Sequence, residues 1–311
     1  MMTGPGFIQF FPTLRCNRRC GFCFNKGISY MPDTPLPAVE TLVKNLAGNG
    51  ISEIDILGGE PVLYPGLGRL IGAAAENSVH VFLSSNGSDP AALDRLTDRF
   101  GGALTVGISL NDEKTPSALD EFIIRRQPLL KSVCRRGMRI SHRVERYLAS
   151  GLQFFLLFMD ALSDDALKEC LAFYEYMEIL DRLRGDHPQA GGVYCSGFIP
   201  CEDEPVSAMR CPAGSTKLSV LPDGAVYPCY LMFGRGEFRL GNIFEDALCA
   251  IWENPVLDFF RKFGGNNCSR RECAFFRKCR GGCPAVSLSV MGHLDVPDPR
   301  CSRQVSHLVN A

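Results

Sequence analysis

The sequence predicts an α/β protein, in which a parallel sheet of alternating strands and helices is followed by a cysteine-rich segment. Short apolar runs alternate with amphipathic stretches about six times over residues 1–184, and this alternation is typical of parallel strands joined by right-handed crossovers. Turn-forming residues then take over, which indicates a domain boundary. We therefore predict a first domain over 1–184, a linker over 185–210, a cysteine-rich domain over 211–303 and a tail over 304–311.

Each element follows from local patterns of apolar, capping and turn-forming residues. A proline near the start and a glycine at the end predict a helix over 37–48, and Asp89 is the predicted N-cap of a helix over 90–100. Predicted strands span 7–11, 53–57, 79–84, 103–110, 138–144, 152–158, 216–221 and 225–228. Predicted helices span 37–48, 66–78, 90–100, 117–135, 164–183, 245–252 and 255–263.

The composition limits the classes of partner and compartment that we expect for this protein. The chain has 311 residues, 46% of them hydrophobic, and a net charge of −1, which gives no pull toward nucleic acid or an anionic membrane. No run approaches the roughly 18 apolar residues that a membrane span needs, and no signal peptide is recognisable. Fifteen cysteines without an export signal indicate a reducing compartment and metal binding rather than disulfides. We expect a cytoplasmic protein without nucleic-acid or membrane partners.

Three cysteines lie close together near the N-terminus, at Cys16, Cys20 and Cys23. A short loop with this spacing can place three thiolates around a cubane iron–sulfur cluster, which leaves one iron open to a chelating molecule. A zinc site is the alternative, but structural zinc takes four nitrogen or sulfur ligands, commonly as two pairs. Elsewhere Cys134, Cys170 and Cys249 fall on predicted helices, and we predict core positions for them because free cysteine is often buried.

Polar turns follow the next predicted strands. Gly58-Gly59-Glu60 comes directly after the second strand; it is either a tight turn or a ligand loop. Glycines let the backbone approach a ligand closely, and a carboxylate can bind an ammonium group. Ser85 and Asn86 follow the third strand, and Ser109 ends the fourth. In parallel α/β folds such turns meet at the C-terminal edge of the strands, where functional sites lie.

These motifs resemble the radical S-adenosylmethionine (radical SAM) superfamily, whose signature is a CxxxCxxC loop with an aromatic residue before the third cysteine, here Phe22. The family's GGE motif matches at Gly58, Gly59 and Glu60. The resemblance implies a partial (β/α)6 TIM-like barrel followed by a small cysteine-rich Fe–S domain with a β-hairpin and short helices. It also implies a 4Fe-4S cluster that chelates S-adenosylmethionine. The implied cofactor contacts are Phe22, Gly58, Gly59, Glu60, Ser109 and Asn111. Ser85 and Asn86 are either ribose contacts or a turn, and Arg143, on the predicted fifth strand, is either a contact of the adenosyl carboxylate or an arginine at the surface or core edge.

The second cysteine field resembles the SPASM extension of radical SAM enzymes. Pro222-Asp223-Gly224 predicts a hairpin turn, and the family's Gly-x4-Cys spacing is met at Cys229. Cys268 departs, because four residues rather than two separate it from Cys273. The resemblance implies two auxiliary 4Fe-4S clusters, one on Cys211, Cys229 and Cys283, the other on Cys268, Cys273, Cys279 and Cys301. The first lacks a fourth ligand, for which Cys201, then Cys195, or an open iron are the candidates; zinc also suits four sulfurs.

The implied reaction is reductive cleavage of S-adenosylmethionine to a 5′-deoxyadenosyl radical, which removes a hydrogen atom from the substrate. The expected substrate is a ribosomally made peptide or a protein side chain that is oxidised or crosslinked. A dehydrogenase or decarboxylase of a small molecule (a sugar, an aminoglycoside-like compound or a tetrapyrrole precursor) is the alternative, and a non-catalytic Fe–S or zinc module is the third possibility.

The expected partner is a low-potential electron donor such as flavodoxin or ferredoxin. A peptide substrate would be recognised either by a separate leader-peptide-binding protein or by the barrel itself. Tyr230 directly follows Cys229, at the position where the sulfatase-maturing branch of the family commonly has an Asp that serves as base. Tyr230 is therefore a candidate acid, base or substrate contact, and a packing role is the alternative.

Overall fold

The computed structural model describes residues 4–28, 30–111, 116–138, 140–194, 197–199, 211–270 and 272–301. Its strands are β1 (Phe7–Phe10), β2 (Glu53–Ile56), β3 (His80–Ser85), β4 (Leu104–Ser109), β5 (Leu129–Cys134), β6 (Phe154–Phe158), β7 (Ala190–Tyr194), β8 (Gly197–Ile199), β9 (Lys217–Val220), β10 (Ala225–Tyr227) and β11 (Gly241–Asn242). Its helices are α1 (Leu36–Gly48), α2 (Leu67–Glu76), α3 (Pro90–Phe100), α4 (Ser117–Arg126), α5 (His142–Ala149), α6 (Asp164–Glu169), α7 (Phe173–Asp186), α8 (Leu248–Trp252), α9 (Leu257–Lys262), α10 (Phe276–Cys279) and α11 (Pro284–Met291).

The chain divides into two compact units. The first unit comprises Met1–Leu129 and Pro212–Arg261. In it β1, β2, β3 and β4 pair in parallel in chain order, and β9 pairs in parallel with the other side of β1. The predicted hairpin is confirmed, because β9 and β10 are antiparallel neighbours. This hairpin therefore extends the same sheet that the N-terminal strand–helix repeats build.

The sheet of the first unit has an apolar face and a polar face. Ile8, Ile54 and Val81 lie in register on β1, β2 and β3 and are fully buried; such burial stabilises by about 1.5–3 kcal/mol per side chain. The alternate positions form what we call the polar face, which is defined by Gln9, Asp55, Ser109, Lys217 and Ser219. Neighbouring polar groups on it bond to each other across strands: Gln9 Nε2 donates to Asp55 Oδ2 (3.0 Å) and Ser219 Oγ donates to Gln9 Oε1 (3.2 Å).

The second unit comprises Leu130–Cys211 and Lys262–Ala311. Strands β5, β6 and β7 are parallel, and β8 is an antiparallel neighbour of β7. A buried ion pair ties the C-terminal loop of this unit to the sheet: Arg300 Nη2 donates to Asp298 Oδ2 (2.6 Å), and Arg300 Nη1 donates to the Met159 carbonyl just after β6 (2.8 Å). The Tyr194 hydroxyl at the end of β7 also donates to Asp298 (3.2 Å).

Three predicted elements are wrong. The helix predicted over 164–183 is divided into α6 and α7, because the chain is extended at Cys170 and Ala172 between them.

The helix predicted over 117–135 ends at Arg126, because Gln127 adopts a left-handed conformation (φ 50°) and Pro128 cannot continue a helix; the rest of the segment is β5. The strand predicted over 138–144 gives way to α5, whose N-cap Ser141 accepts a hydrogen bond from the Val144 amide. Arg143 therefore lies in a helix rather than on a strand, and its side chain is outside the described part of the chain.

The three cysteines that are predicted to lie in the core differ in their burial. Cys134 on β5 and Cys170 between α6 and α7 are buried, whereas Cys249 is exposed. The core prediction for Cys249 is wrong because α8 buries its neighbours Leu248 and Ile251 instead. The predicted N-cap of α3 is confirmed, since the Asp89 carboxylate accepts from the Ala92 amide at 2.9 Å.

The segment predicted to be a linker, 185–210, contributes β7 and β8 to the sheet of the second unit. None of the helices that the structure describes combines the length and the apolar character that crossing a bilayer would require.

We expect Asp298→Ala to lower the free energy of unfolding by about 3–5 kcal/mol, because removing one partner of a buried ion pair leaves the other charge uncompensated. Burial opposes the charged form of Asp298, but the Arg300 guanidinium holds the pKa of Asp298 below its usual range. Guanidinium unfolding followed by circular dichroism at neutral pH measures the change. Asp165→Ala, which removes an exposed pair with Lys168, is the control, and equal behaviour of the two variants would contradict the role of the buried pair.

Candidate functional site

Two glycines bring the GGE turn into contact with the chain that leads into the cysteine loop. The Gly59 amide donates to the Thr13 carbonyl (3.0 Å), and the Glu60 amide donates to the Arg15 carbonyl (2.7 Å). A Cβ atom at Gly59 would lie 2.0 Å from the Arg15 carbonyl oxygen. Gly58 has a φ of +137°, and a Cβ atom there would lie 2.3 Å from the Thr13 carbonyl oxygen. Only glycine fits either position, because no side chain can replace that backbone contact.

The three cysteines of the N-terminal loop lie on one short turn. The Cys23 amide donates to the Cys20 carbonyl (3.3 Å), and the Arg18 amide lies 3.4 Å from Cys16 Sγ. Cys16 is exposed, and the other two are half-buried. A 3-10 turn over Phe24–Gly27 begins directly after the third cysteine. All three thiols are therefore close to the surface of a loop that the GGE turn supports from behind.

The Glu60 side chain is fully buried. Its Oε1 accepts from the Ser85 hydroxyl (2.8 Å) and the Val62 amide (3.3 Å), and its Oε2 accepts from the Asn86 amide (2.7 Å). Burial raises the pKa of Glu60, although the Asn86 and Ser85 hydrogen bonds and the Arg18 charge oppose this. A cation that binds beside such a buried carboxyl is bound favourably, because it stabilises the charged form of the carboxyl.

Asn86 connects the Glu60 turn with the cysteine loop. Its Nδ2 donates to Asn17 Oδ1 (2.9 Å) and lies 3.9 Å from Cys16 Sγ. Asn17 in turn donates to the Ser88 hydroxyl (2.8 Å). The carboxylate of the GGE motif and the first cysteine therefore lie on the same side of the sheet, at the C-terminal ends of β1, β2 and β3, as the positions of these turns in the sequence predict.

Asn25 leaves one acceptor at this site without a donor. Its Nδ2 donates to the Gly58 carbonyl (2.7 Å), while its Oδ1 is buried with no hydrogen-bond partner among the described residues. An unpaired buried carbonyl is unfavourable, so this atom indicates a missing donor. Together with Glu60 it suits a ligand that carries an ammonium group, as S-adenosylmethionine does, and the residues present fit that cofactor.

The thiols also fit metal binding. Burial raises the pKa of Cys23, and the neighbouring Cys16 raises it further, while the Asn25 amide and Lys26 lower it. A bound metal holds such a thiol in its thiolate form. Within the described ranges, no three Cys, His, Asp or Glu side chains converge to hold a single metal ion, whereas a 4Fe-4S cluster distributes its four cysteine ligands over four irons.

Three other predicted cofactor contacts have known positions. Phe22 is half-buried within the cysteine loop, Ser109 is the half-buried last residue of β4, and Asn111 follows two residues later. Ser85 ends β3 and Asn86 follows it; the Ser85 hydroxyl and the Asn86 amide donate to Glu60, and the Asn86 side chain donates to Asn17. Contact of these residues with the cofactor stays a prediction.

Tyr230 lies against the residue that follows the cysteine loop. Its ring centroid is 4.5 Å from that of Phe24 and 6.2 Å from that of Phe11. Lys217 Nζ lies 5.3 Å from the centre of the Tyr230 ring. The tyrosine therefore packs in an aromatic cluster of the first unit, next to the third cysteine of the loop, and its catalytic role stays a prediction.

Four cysteines of the second unit share one cavity of about 530 Å³, a volume that includes the space at its open side. The cysteines that line it are Cys268, Cys273, Cys279 and Cys301. Burial raises the pKa of Cys279 to about 12, and the other three thiols contribute to the increase, which shows that the four groups are electrostatic neighbours. This is the ligand set that the resemblance implies for one auxiliary cluster.

The other auxiliary set stays a prediction. Cys229 follows β10 in the first unit and is buried, whereas Cys283 is buried at the start of α11 in the second unit. Cys211 is half-buried. The candidates for the fourth ligand, Cys201 and Cys195, lie outside the described residues.

Sequence reasoning missed several residues of these sites. Asn25 was detectable as an amide two positions after the third cysteine, and Asp298 and Arg300 as a pair of opposite charges just before the last one. Lys217 was detectable as the single charged residue of the predicted strand over 216–221. By contrast, no sequence signal marks the Thr13 and Arg15 carbonyls, because every residue carries one.

We expect Gly59→Ala to lower the free energy of unfolding by about 1–3 kcal/mol, the usual effect of forcing atoms into an occupied space, and to abolish cofactor binding. Equilibrium dialysis of labelled S-adenosylmethionine against the reconstituted protein measures the second effect. The matched control is Gly68→Ala on α2, where a Cβ atom would meet nothing within 4 Å. Normal cofactor binding by Gly59→Ala would show that the close backbone approach is dispensable.

We expect Glu60→Gln to weaken S-adenosylmethionine binding about tenfold or more, since a hydrogen bond to a charged group contributes about 1.5–3 kcal/mol. Because the pKa of Glu60 is raised, its carboxylate becomes protonated at a higher pH than an ordinary glutamate. Affinity of the wild-type protein should therefore fall as the pH is lowered through that pKa, and affinity of the variant should not. Glu53→Gln, at an exposed position of β2, is the control; a wild-type pH profile in Glu60→Gln would contradict this role.

Two known family profiles match the chain, one in its N-terminal part and one in its C-terminal part. The radical SAM superfamily profile matches residues 10–115, and the SPASM profile, an iron–sulfur cluster-binding domain, matches residues 211–284. Among solved structures, SuiB from Streptococcus suis bound to the precursor peptide SuiA has a TM-score of 0.74 at 17% identity, covering 96% of this chain and 76% of that chain. This likeness confirms the predicted α/β fold class, in which parallel strands alternate with helices.

Relatives differ in how much of the chain they share. The antilisterial bacteriocin subtilosin biosynthesis protein AlbA of Bacillus subtilis is 24% identical over 90% of this chain and 67% of its own length. A PqqA peptide cyclase of Granulibacter bethesdensis is 22% identical over 96% of this chain and 87% of its own. A GTP 3′,8-cyclase of Synechococcus elongatus is 32% identical, but the match spans 37% of this chain and 42% of that protein. The chain therefore belongs to the radical SAM superfamily and carries its SPASM iron–sulfur cluster-binding domain.

Proposed function

We propose that this protein is a radical SAM/SPASM oxidoreductase that removes a hydrogen atom from a residue of a ribosomally made peptide or protein and thereby oxidises or crosslinks it. The observation that carries the proposal is the connection from Glu60 through Asn86 to the loop of Cys16, Cys20 and Cys23. This connection supports the proposal because it joins the buried Glu60 carboxyl to a loop whose cysteine spacing suits a cluster that leaves one iron open.

Different residues of the first unit would bind the cluster and S-adenosylmethionine. Cys16, Cys20 and Cys23 would bind the cluster, and Glu60 with Asn25 Oδ1 would bind the ammonium group of S-adenosylmethionine. The bound cluster and S-adenosylmethionine together supply a 5′-deoxyadenosyl radical that can abstract hydrogen. The contacts of Gly58 and Gly59 with the preceding loop keep these groups in a fixed arrangement.

Three 4Fe-4S clusters belong to the proposal. The shared cavity of Cys268, Cys273, Cys279 and Cys301 supports one auxiliary cluster, and Cys211, Cys229 and Cys283 are assigned to the other by family resemblance. A substrate that loses a hydrogen atom and then a proton and an electron becomes oxidised, and an auxiliary cluster is a suitable acceptor for that electron. A low-potential donor such as flavodoxin or ferredoxin would supply the electron that starts the reaction.

A peptide substrate is favoured by the relatives that match most of the chain. AlbA is a bacteriocin biosynthesis protein, the PqqA cyclase acts on a peptide, and SuiB was solved with a precursor peptide. The GTP 3′,8-cyclase, whose name gives a nucleotide as substrate, matches a little more than a third of the chain. A small-molecule substrate is the second candidate, and that shorter match is the observation in its favour.

We expect the reconstituted wild-type chain to bind about twelve irons, the number that three cubanes require, and to cleave S-adenosylmethionine to 5′-deoxyadenosine under reducing conditions. Cys273→Ala should lose about four irons and retain basal cleavage, whereas Cys16→Ala should lose cleavage. Iron and sulfide analysis with chromatography of the nucleoside products measures both. Cys249→Ala is the control because this cysteine is exposed on α8 and has no predicted ligand role.

Peptide modification is tested by co-expression with short open reading frames encoded beside the gene. A peptide that loses two hydrogen atoms with the wild-type enzyme, and not with Cys16→Ala, supports the proposal. Cleavage of S-adenosylmethionine without any modified peptide, combined with turnover of a neighbouring pathway's metabolite, would favour the small-molecule alternative. Absence of cleavage in an iron-replete sample would contradict the radical mechanism itself.

A further inference from the structure

Lys217 holds an unusual position in the sheet of the first unit. It opens β9 opposite Phe7 of β1, and two residues later Ser219 lies opposite Gln9. Lys217 and Ser219 therefore project from the same face, because alternate residues of a strand share a side. The whole Lys217 residue is 0% exposed, although lysine is almost never fully buried unless its charge is paired.

The Lys217 ammonium has no hydrogen-bond partner among the described residues. Elsewhere on the polar face, Asp55 accepts from Gln9, and Gln9 accepts from Ser219. What the ammonium does contact is the Tyr230 ring, whose centre is 5.3 Å from Nζ. A cation–π contact offsets only a small part of the desolvation of a buried charge. The polar face therefore presents one buried cation for which the described chain supplies no anion.

This cation is close to the loop where the chemistry is proposed to occur. The Tyr230 ring that Lys217 contacts lies 4.5 Å from the Phe24 ring, and Phe24 directly follows Cys23. Two aromatic rings thus separate the ammonium from the third cysteine of the loop. A group bound at Lys217 would lie within reach of that loop, on the face of the sheet that carries the polar side chains.

We propose that Lys217 is a specificity-determining residue, whose ammonium binds a carboxylate of the peptide substrate, either an Asp or Glu side chain or a C-terminal carboxylate. The inference rests on the proposed peptide-modifying function. A carboxylate is the partner of choice because it neutralises the buried charge as well as accepting its protons, which an amide carbonyl does not do. The Tyr230 ring faces the ammonium itself, with its centre 5.3 Å from Nζ.

The test uses a pool of random synthetic hexapeptides, with free and with amidated C-termini, as the probe. The full chain is reconstituted with iron, sulfide and S-adenosylmethionine, left unreduced and immobilised, and the retained peptides are identified by mass spectrometry. We expect wild-type protein to enrich peptides with Asp, Glu or a free C-terminus about tenfold over their amide counterparts, the effect of one charge-assisted hydrogen bond. Lys217→Met should lose the enrichment, and Lys217→Arg should retain part of it.

Matched variants keep the result interpretable. Lys44→Met, at an exposed position of α1, should behave as wild type. Lys217→Gln replaces Lys217→Met if the latter lacks the wild-type iron content or circular dichroism. Equal enrichment of acidic peptides by wild-type protein and the charge-removing variants overturns the inference, and so does wild-type retention without any acidic preference or no retention at all.

Two further measurements in the same preparations show whether a negative result contradicts the proposed function or only the role of Lys217. Basal cleavage of S-adenosylmethionine without peptide reports on the proposed function, so its absence in wild-type protein overturns that function. Its presence without lysine-dependent enrichment overturns only the role of Lys217. A shifted auxiliary-cluster reduction potential in Lys217→Met, with acidic enrichment intact, would assign the ammonium to a cluster as a counter-charge instead of to the substrate.

Discussion

The site depends on one steric constraint, the approach of the Gly58-Gly59 backbone to the carbonyls of Thr13 and Arg15. This contact fixes the cysteine loop, which has little regular structure of its own, against a turn that follows a buried strand. It also fixes the Glu60 carboxylate relative to the thiols. A preorganised arrangement of this kind matters in radical chemistry, because a reactive intermediate must meet its target before it meets anything else.

Charge is distributed differently in the two units. In the second unit the buried Arg300 is paired with Asp298 and with the Met159 carbonyl, so its charge stabilises the loop that carries Cys301. In the first unit the buried charge of Lys217 has no such partner among the described residues. In the second unit, groups of the protein itself therefore offset the desolvation of the buried charge. In the first unit, that role is left to a ligand.

Strong local signals predicted much of this structure. The strand–helix repeats up to β4, the N-cap Asp89 and the hairpin turn were all found, because each depends on neighbours in sequence. The segment 117–144 departs from its apolar periodicity because Pro128 ends the helix and Ser141 caps a new one. Glu60 was identified from its motif, but the bonds of Asn86 and the isolation of Lys217 depend on strands that are distant in sequence.

The pairing of β9 with β1 joins residues about 210 positions apart, as in the register of Phe7 with Lys217. Contacts of such sequence separation form late during folding. One edge of the first strand consequently stays unpaired until most of the polypeptide has left the ribosome, and unpaired edges favour aggregation. Biogenesis in the cell thus has an order: the barrel sheet can be completed only after the hairpin of the cysteine-rich segment has been synthesised.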